Sequence, residues 1–161
     1  MPSEELDRVD MGILHLLQKD ARNVTTTEIG ERVGLSSSAV ATRISALEDE
    51  GVITGYAPVI DYEKVGLDQH VLIRATAPVD DRESIIENVV EIPNVTSVIE
   101  LVTDDGNVIV EVVSPTQDEI EAAVGELNEI GIEVLETEIL KTKFARVFNH
   151  FGERYTAEGN D

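Results

Sequence analysis

The 161-residue chain contains no cysteine, which excludes disulfide staples and thiolate metal sites. Aromatic residues make up only 4% of it, so any core is aliphatic, built from Val, Ile, Leu and Ala. No apolar run reaches the roughly 18 residues that a membrane-spanning helix needs, and no signal peptide precedes the first charged helix. The expectation is a soluble, cytoplasmic protein with no membrane partner. The chain is also poor in positive charge: 12 Lys and Arg stand against 33 Asp and Glu, for a net charge of −21. Taken alone, that balance argues against nucleic acid, whose partners are usually basic.

The acid is spread along the chain rather than gathered in a tail. Residues 1–60 hold five basic and ten acidic residues, leaving seven and twenty-three for the remainder, so the N-terminal part is the less acidic. Diffuse surface acid with few lysines suits a cytoplasm full of salt. At ~1 M the Debye length is only ~3 Å, so self-repulsion is screened. An ordinary acidic mesophilic protein is the alternative; a salt-loving source is the expectation.

Apolar positions Val9, Ile13, Leu16 and Leu17 trace one face of an amphipathic helix. Asp7 and Asp10 suit its first turn. Thr25-x-x-Glu28 reads as a capping box opening a second helix, with Ile29 and Val33 inward and Gly34 ending it in a tight turn. Ser36 caps a third helix buried along Val40, Ile44 and Leu47, and Gly51 stops it. Helix, short helix, glycine turn, helix is the spacing of a helix-turn-helix, whose last helix enters the major groove. The face opposite the buried stripe carries Ser38, Ala41, Thr42 and Ser45, with Ser36 and Ser37 at the helix start and Arg43 at the flank. Small hydroxyl side chains let a helix approach base edges and phosphates closely. An ordinary solvated face prefers Glu and Lys, which this helix carries only after Leu47. Ser36, Ser37, Ser38, Thr42, Arg43 and Ser45 are the candidate contacts to double-stranded DNA, with pairing to a neighbouring Glu as the other reading of Arg43.

Residues 52–60 read as a strand interrupted by Pro58. Beyond a linker at 61–66, residues 67–145 alternate strands and helices: strand 71–76, helix 84–90, strands 95–102 and 108–113 as a hairpin, helix 117–130 and strand 134–144. That order is βαββαβ, the ferredoxin-like arrangement, so the fold class is α+β. Both helices would cover one sheet face, leaving the other for a partner chain, most simply a second copy. In the tail, 146–161, Phe148, Phe151 and Tyr155 have helical spacing and are expected to dock on the protein. Residues 156–161 are expected to be disordered. His15, His70 and His150 show no metal-ligand spacing, and His15 reads as a surface or boundary residue on the first helix. No glycine-rich phosphate loop or nucleophile motif is present, so neither a cofactor nor catalysis is expected.

Two stretches carry a resemblance. They are Leu6-Asp7-x-x-Asp10-x-x-Ile13-Leu14-x-x-Leu17-x-x-Asp20-x-Arg22 and Gly34-Leu35-Ser36-x-Ser38-x-Val40-x-x-Arg43-Ile44-x-x-Leu47-x-x-x-Gly51-Val52-Ile53-x-Gly55-Tyr56. Together they are similar to the opening of the Lrp/AsnC (feast/famine) regulators, here with the acidity of a halophilic archaeon's protein. The resemblance implies a winged-helix-like N-terminal domain over residues 1–60 that reads DNA with helix 36–50. It further implies a C-terminal domain that forms a homodimer or higher even assembly and binds a small effector such as an amino acid. The family's effector loop is Gly-x-x-Asp. Here the corresponding stretch is Thr103-Asp104-Asp105-Gly106-Asn107, with Thr137 matching a threonine of the last strand. Those six residues are the candidate effector site, although Asp, Gly and Asn are also what a hairpin turn wants. An acidic loop would favour a cationic group: a basic amino acid or a divalent metal. Two alternatives remain: an architectural DNA-coating protein, and a siroheme-decarboxylase-like enzyme. The enzyme would need Arg, Lys and His around a polycarboxylate ligand, against a strongly acidic second domain.

Overall fold

The computed structural model describes residues 6–146 and 155–156. The chain forms two compact units, one of residues 1–58 with 145–161 and one of residues 59–144. Of the residues on which the docking and disorder expectations fell, Phe148, His150, Phe151 and residues 157–161 lie outside the described residues, Tyr155 packs on α1 as expected, and Thr156, expected to be disordered, is buried.

The first unit holds three helices, α1 (Arg8–Asp20), α2 (Thr26–Val33) and α3 (Ser37–Asp49). Each begins at a residue whose side chain accepts a hydrogen bond from an orphan backbone N–H of the first turn. Asp7 accepts from Val9 N and Asp10 N, and Asp10 answers by accepting from Asp7 N, a reciprocal capping box. Thr25 and Glu28 form a second box, and Ser36 accepts from Ala39 N. Ile13, Leu16, Ile29, Val40 and Leu47 meet in one aliphatic core. The α2–α3 turn depends on two glycines. Gly34 sits at φ 78°, the left-handed region, and both Gly34 N and Leu35 N donate to Gly30 O. That folds the turn back onto α2 so tightly that a Cβ on Gly30 would lie 2.3 Å from Leu35 O.

His15 departs from expectation: it is buried, only 2% exposed. Residues 155 and 156 return to α1 on a side that the apolar stripe does not mark. A Cβ on Gly12, three residues before His15, would meet Tyr155 O at 3.1 Å. Arg8 stacks over the Tyr155 ring, 5.3 Å from its centroid. Residues 52–60 form no strand. Val52 and Ile53 tuck against the helical core, and Ile53 N donates to Leu47 O. Pro58 lacks a donor, and among the described residues of its unit no strand lies beside this segment to complete a ladder.

The second unit opens with a 3-10 turn at Glu63–Val65 and then follows β1 (Gln69–Thr76), α4 (Arg82–Val90), β2 (Val95–Glu100), β3 (Val108–Ser114), α5 (Gln117–Glu129) and β4 (Glu133–Ile139). The sheet is antiparallel throughout, in the order β2-β3-β1-β4, so the α+β, βαββαβ expectation holds. Val71, Ile73 and Ala75 of β1 and Val108, Val110 and Val112 of β3 alternate onto one face, where they pack with Val89, Ile120, Ala123 and Leu127 of the helices. The last strand is shorter than its sequence suggests. Its regular pairing ends at Ile139 opposite Val71, with one further bond from Leu140 N to His70 O, and β1 begins at Gln69, so residues beyond 141 have no β1 residue to face.

The register places Ile99, Ile109, Arg74 and Glu136 in one cross-strand row on the opposite face, and Ser97, Glu111, Leu72 and Glu138 in the next. Glu111 is nonetheless buried. Its carboxylate accepts from Lys143 Nζ at 2.8 Å, Ser97 Oγ at 3.0 Å and His70 Nε2 at 2.6 Å, so Nε2 carries the ring proton. Burial pushes the Glu111 carboxyl up, but the hydrogen bonds from Lys143, His70 and Ser97 outweigh it and hold the group below the ordinary carboxylate range. A depressed folded pKa stabilises the fold at pH above the unfolded value, about 4.3, and that contribution disappears as pH falls through the folded value. Glu111→Gln should therefore remove part of the acid-side loss of stability while costing about 1–3 kcal/mol at neutral pH. Urea melts between pH 3 and 7 check both.

Candidate nucleic-acid interface

The exposed side of α3 consists of Ser37, Ser38, Ala41, Thr42, Ser45 and Ala46, with Ser36 exposed just before the helix. The side arises because Val40 and Leu47, seven residues apart, are the positions that α3 buries fully. Between Ser36 and Leu47 it carries no acidic residue, in a chain where acids outnumber bases almost three to one. Several hydroxyls also hold the local structure. Ser36 Oγ caps the helix and lies 3.3 Å from Ser38 Oγ. Ser37 Oγ is 2.6 Å from Thr26 Oγ1, tying the start of α3 to the start of α2. Thr42 Oγ1 donates to Ser38 O at 3.0 Å, which fixes its rotamer and leaves its oxygen lone pairs outward. The far end is tied as well, since Tyr56 OH donates to Glu48 at 2.9 Å.

Arg43 is placed differently from its candidate neighbours. Its NH1 donates to Asp7 Oδ2 at 2.7 Å and to Asp10 Oδ1 and Oδ2 at 3.0 and 3.1 Å. Its partners are therefore two aspartates of the α1 start, not a glutamate nearby in sequence. The hydrogen bond from Asp10 N, opposed by partial burial and reinforced by Arg43, holds the Asp7 carboxyl below its usual range. The two carboxylates in turn raise the Arg43 guanidinium. Sequence periodicity placed Asp7 and Asp10 in the first turn but carried no signal for a partner 36 residues away.

The candidate effector residues do not form one group. Asn107 is fully buried, and both ends of its amide are spent on Ala77: Oδ1 accepts from Ala77 N at 2.8 Å and Nδ2 donates to Ala77 O at 3.1 Å. It closes the loop from within instead of lining it. Thr76 Oγ1 donates to Asp105 Oδ1 at 3.0 Å and accepts from Gly106 N at 2.9 Å, while Thr103 Oγ1 donates to Asp105 O at 3.1 Å. Thr103, Asp104 and Asp105 are exposed, and Gly106 lies against the Arg74 side chain. Thr137 pairs with Ile73, which puts it on the helix side of the sheet, away from the face that carries Arg74. Among the described residues, no group of three or more His, Asp or Glu is arranged to hold a metal ion, and no helix is long and apolar enough to cross a membrane.

Comparison with known proteins converges on one kind of molecule. Residues 6–54 match the family model described as winged helix-turn-helix DNA-binding. An uncharacterised helix-turn-helix-type transcriptional regulator of Pyrococcus horikoshii, PH0140, is 33% identical over 150 residues, covering 89% of this chain and 94% of that protein. The regulator YezC of Bacillus subtilis is 50% identical over 66 residues, but there the match spans 41% of this chain and only 45% of the relative. Among solved structures, the leucine response regulatory protein LrpA of Mycobacterium tuberculosis superposes with a TM-score of 0.77 at 25% identity, covering 91% of this chain and 99% of that one. A transcriptional regulator of Neisseria meningitidis, solved as its L-Met complex, gives 0.73 at 26% identity, covering 89% and 95%.

Proposed function

Because the chain belongs to the Lrp/AsnC family of helix-turn-helix transcription regulators, we propose that it reads specific sites on double-stranded DNA with the exposed side of α3. The observation that carries this reading is the run of small uncharged and hydroxyl side chains, Ser36, Ser37, Ser38, Thr42 and Ser45, on the outer face of the second helix of the pair. Such a surface admits phosphate and base edges without electrostatic repulsion in a protein that is otherwise strongly acidic. The relatives are named regulators, not enzymes, which leaves the decarboxylase alternative without support among them. Genome-wide occupancy is the test. The reading expects discrete sites whose occupancy changes with an added amino acid, whereas uniform coating would favour an architectural protein.

The unit of residues 59–144 is the proposed dimerisation and effector module. The sheet face away from α4 and α5 presents Ile99, which is 48% exposed, beside Ile109 and Leu72, rimmed by Arg74, Glu136 and Glu138. A second copy covering that face would bury Ile99, Ile109 and Leu72 and pair the rim charges. Light scattering at high salt should give a dimer or a higher even assembly, and Ile109→Glu should give monomers. A monomeric unsubstituted protein would contradict the dimer. For the effector, the exposed loop of Thr103, Asp104 and Asp105, with Gly106 against Arg74, suits a ligand carrying both an ammonium and a carboxylate. An amino acid has both. The chain's acidity is read as adaptation to a salt-rich cytoplasm.

A further inference from the structure

We propose that Arg43 is a positioning residue of the DNA-reading helix and not one of its phosphate contacts: held by Asp7 and Asp10, it sets the angle at which α3 presents Ser38, Thr42 and Ser45. The inference deepens the reading of α3 as the DNA-contacting helix and rests on it. An arginine flanking a recognition helix is ordinarily assigned to the DNA backbone. Here its NH1 is shared among three carboxylate oxygens at 2.7, 3.0 and 3.1 Å. Neither carboxylate is free to follow it elsewhere. Asp7 Oδ1 caps Val9 N and Asp10 N at 2.9 Å each, and Asp10 Oδ2 accepts from Asp7 N at 3.0 Å. The same two side chains that start α1 therefore fix the flank of α3. Withdrawing Arg43 towards DNA would leave two adjacent carboxylates without a cation where phosphates approach.

α3 needs such a tie because its packing defines its axis better than its rotation. Val40 and Leu47 lie on one line along the helix, and Ile44 between them is only half-buried. A rotation of about 30° about the helix axis would carry side-chain tips, roughly 5 Å from that axis, by about 2.5 Å. That exceeds what a hydrogen bond to a base edge tolerates. The Thr26–Ser37 pair holds the start of the helix and Tyr56–Glu48 its end; Arg43 holds the middle, next to Thr42.

The two roles of Arg43 predict opposite signs for one substitution. Asp10→Asn keeps an oxygen to accept from Asp7 N, so the cap survives, while it removes a negative charge near DNA and weakens the hold on Arg43. If Arg43 were a phosphate contact, Asp10→Asn would tighten binding. As a positioning residue, Arg43 requires that Asp10→Asn lower specific affinity about tenfold, with non-specific affinity unchanged and base preference broadened. Arg43→Gln should do the same, the double substitution should be no worse than either single one, and the log–log salt slope should be unchanged in all three. Thermal melts monitor folding, and Asp7→Asn serves as a second variant should Asp10→Asn not fold. Tighter binding by the folded Asp10→Asn protein, or a slope flattened by about 0.9 in Arg43→Gln, overturns the proposal. Unchanged base preference in Ser38→Ala and Thr42→Val would overturn the α3 reading itself. That result comes from variants that leave Arg43 untouched, so the two failures are distinguishable.

Discussion

Gly30→Ala should destabilise the DNA-reading unit by roughly 1–3 kcal/mol or more, the range for forcing an atom into filled space. The added Cβ would lie 2.3 Å from Leu35 O, a backbone atom that cannot swing away as a side chain can. Leu35 is fixed because its N–H and that of Gly34 both donate to Gly30 O, so relief means opening the turn. The gain of about 1 kcal/mol in helix propensity on replacing glycine by alanine is too small to offset this. Each kcal/mol lost lowers the melting temperature of a unit this small by about 4–8 °C. The turn also sets where α3 starts, so DNA affinity should fall with stability while the second unit keeps its association state. Calorimetry of the two transitions, with light scattering, checks both halves. A Gly30→Ala protein melting within a degree of the parent would show that the turn has room the close approach denies.

The second large effect concerns salt. An ordinary DNA-binding protein loses affinity steeply, because each neutralised phosphate releases counterions, with a log–log slope of about −0.9 per contact. Residues 1–60 hold five cations: Arg8, Lys19, Arg22, Arg32 and Arg43. Arg43 is bound to Asp7 and Asp10, Arg8 stacks on Tyr155, and the Arg32 Nε is buried. Lys19 and Arg22 remain without an ion pair or ring contact of that kind among the described residues, so the slope contributed by residues 1–60 should be closer to about −2 than to about −5. Against it works the repulsion of ten acids, which is long-ranged at low salt and confined to ~3 Å at ~1 M. Specific affinity should therefore be flat or rise between roughly 0.5 and 2 M KCl, where a protein with six or more phosphate contacts would lose orders of magnitude. The check is a titration on one operator with folding followed in parallel. A steep, monotonic loss from folded protein would mean that phosphate contacts dominate and that the acidity is not an adaptation to salt.

Local signals carried the sequence reading where structure is made locally. Thr25 and Glu28 announced the start of α2, Ser36 announced α3, and Val71, Ile73 and Ala75 alternate as β1 requires. What stayed hidden was set by contacts between distant segments. β4 stops at Ile139 although residues 140–144 continue its pattern, and those beyond 141 would run past the start of β1 at Gln69. His15 is buried on α1, where residues 155 and 156, about 140 positions later, come back against Gly12 one turn earlier. Asn107 reads as a turn residue, but it is buried just before β3 with its side chain committed to Ala77, 30 residues earlier, which a loop motif cannot reveal. Arg43 follows the same logic. Its place on α3 was legible from periodicity, whereas its carboxylate partners were not.

Whether the outer face of α3 reads base sequence is tested by selecting bound DNA from a random pool with the parent protein and with Thr42→Val. Thr42 sits at the centre of the exposed face with its rotamer fixed by Ser38 O. Valine keeps its shape and removes the hydroxyl. One enriched motif is expected for the parent and, for Thr42→Val, a motif altered at one or two positions per half-site, with overall affinity changed less than base preference. Identical motifs from both proteins, or no enriched motif from the parent, would contradict a base-reading role for that face.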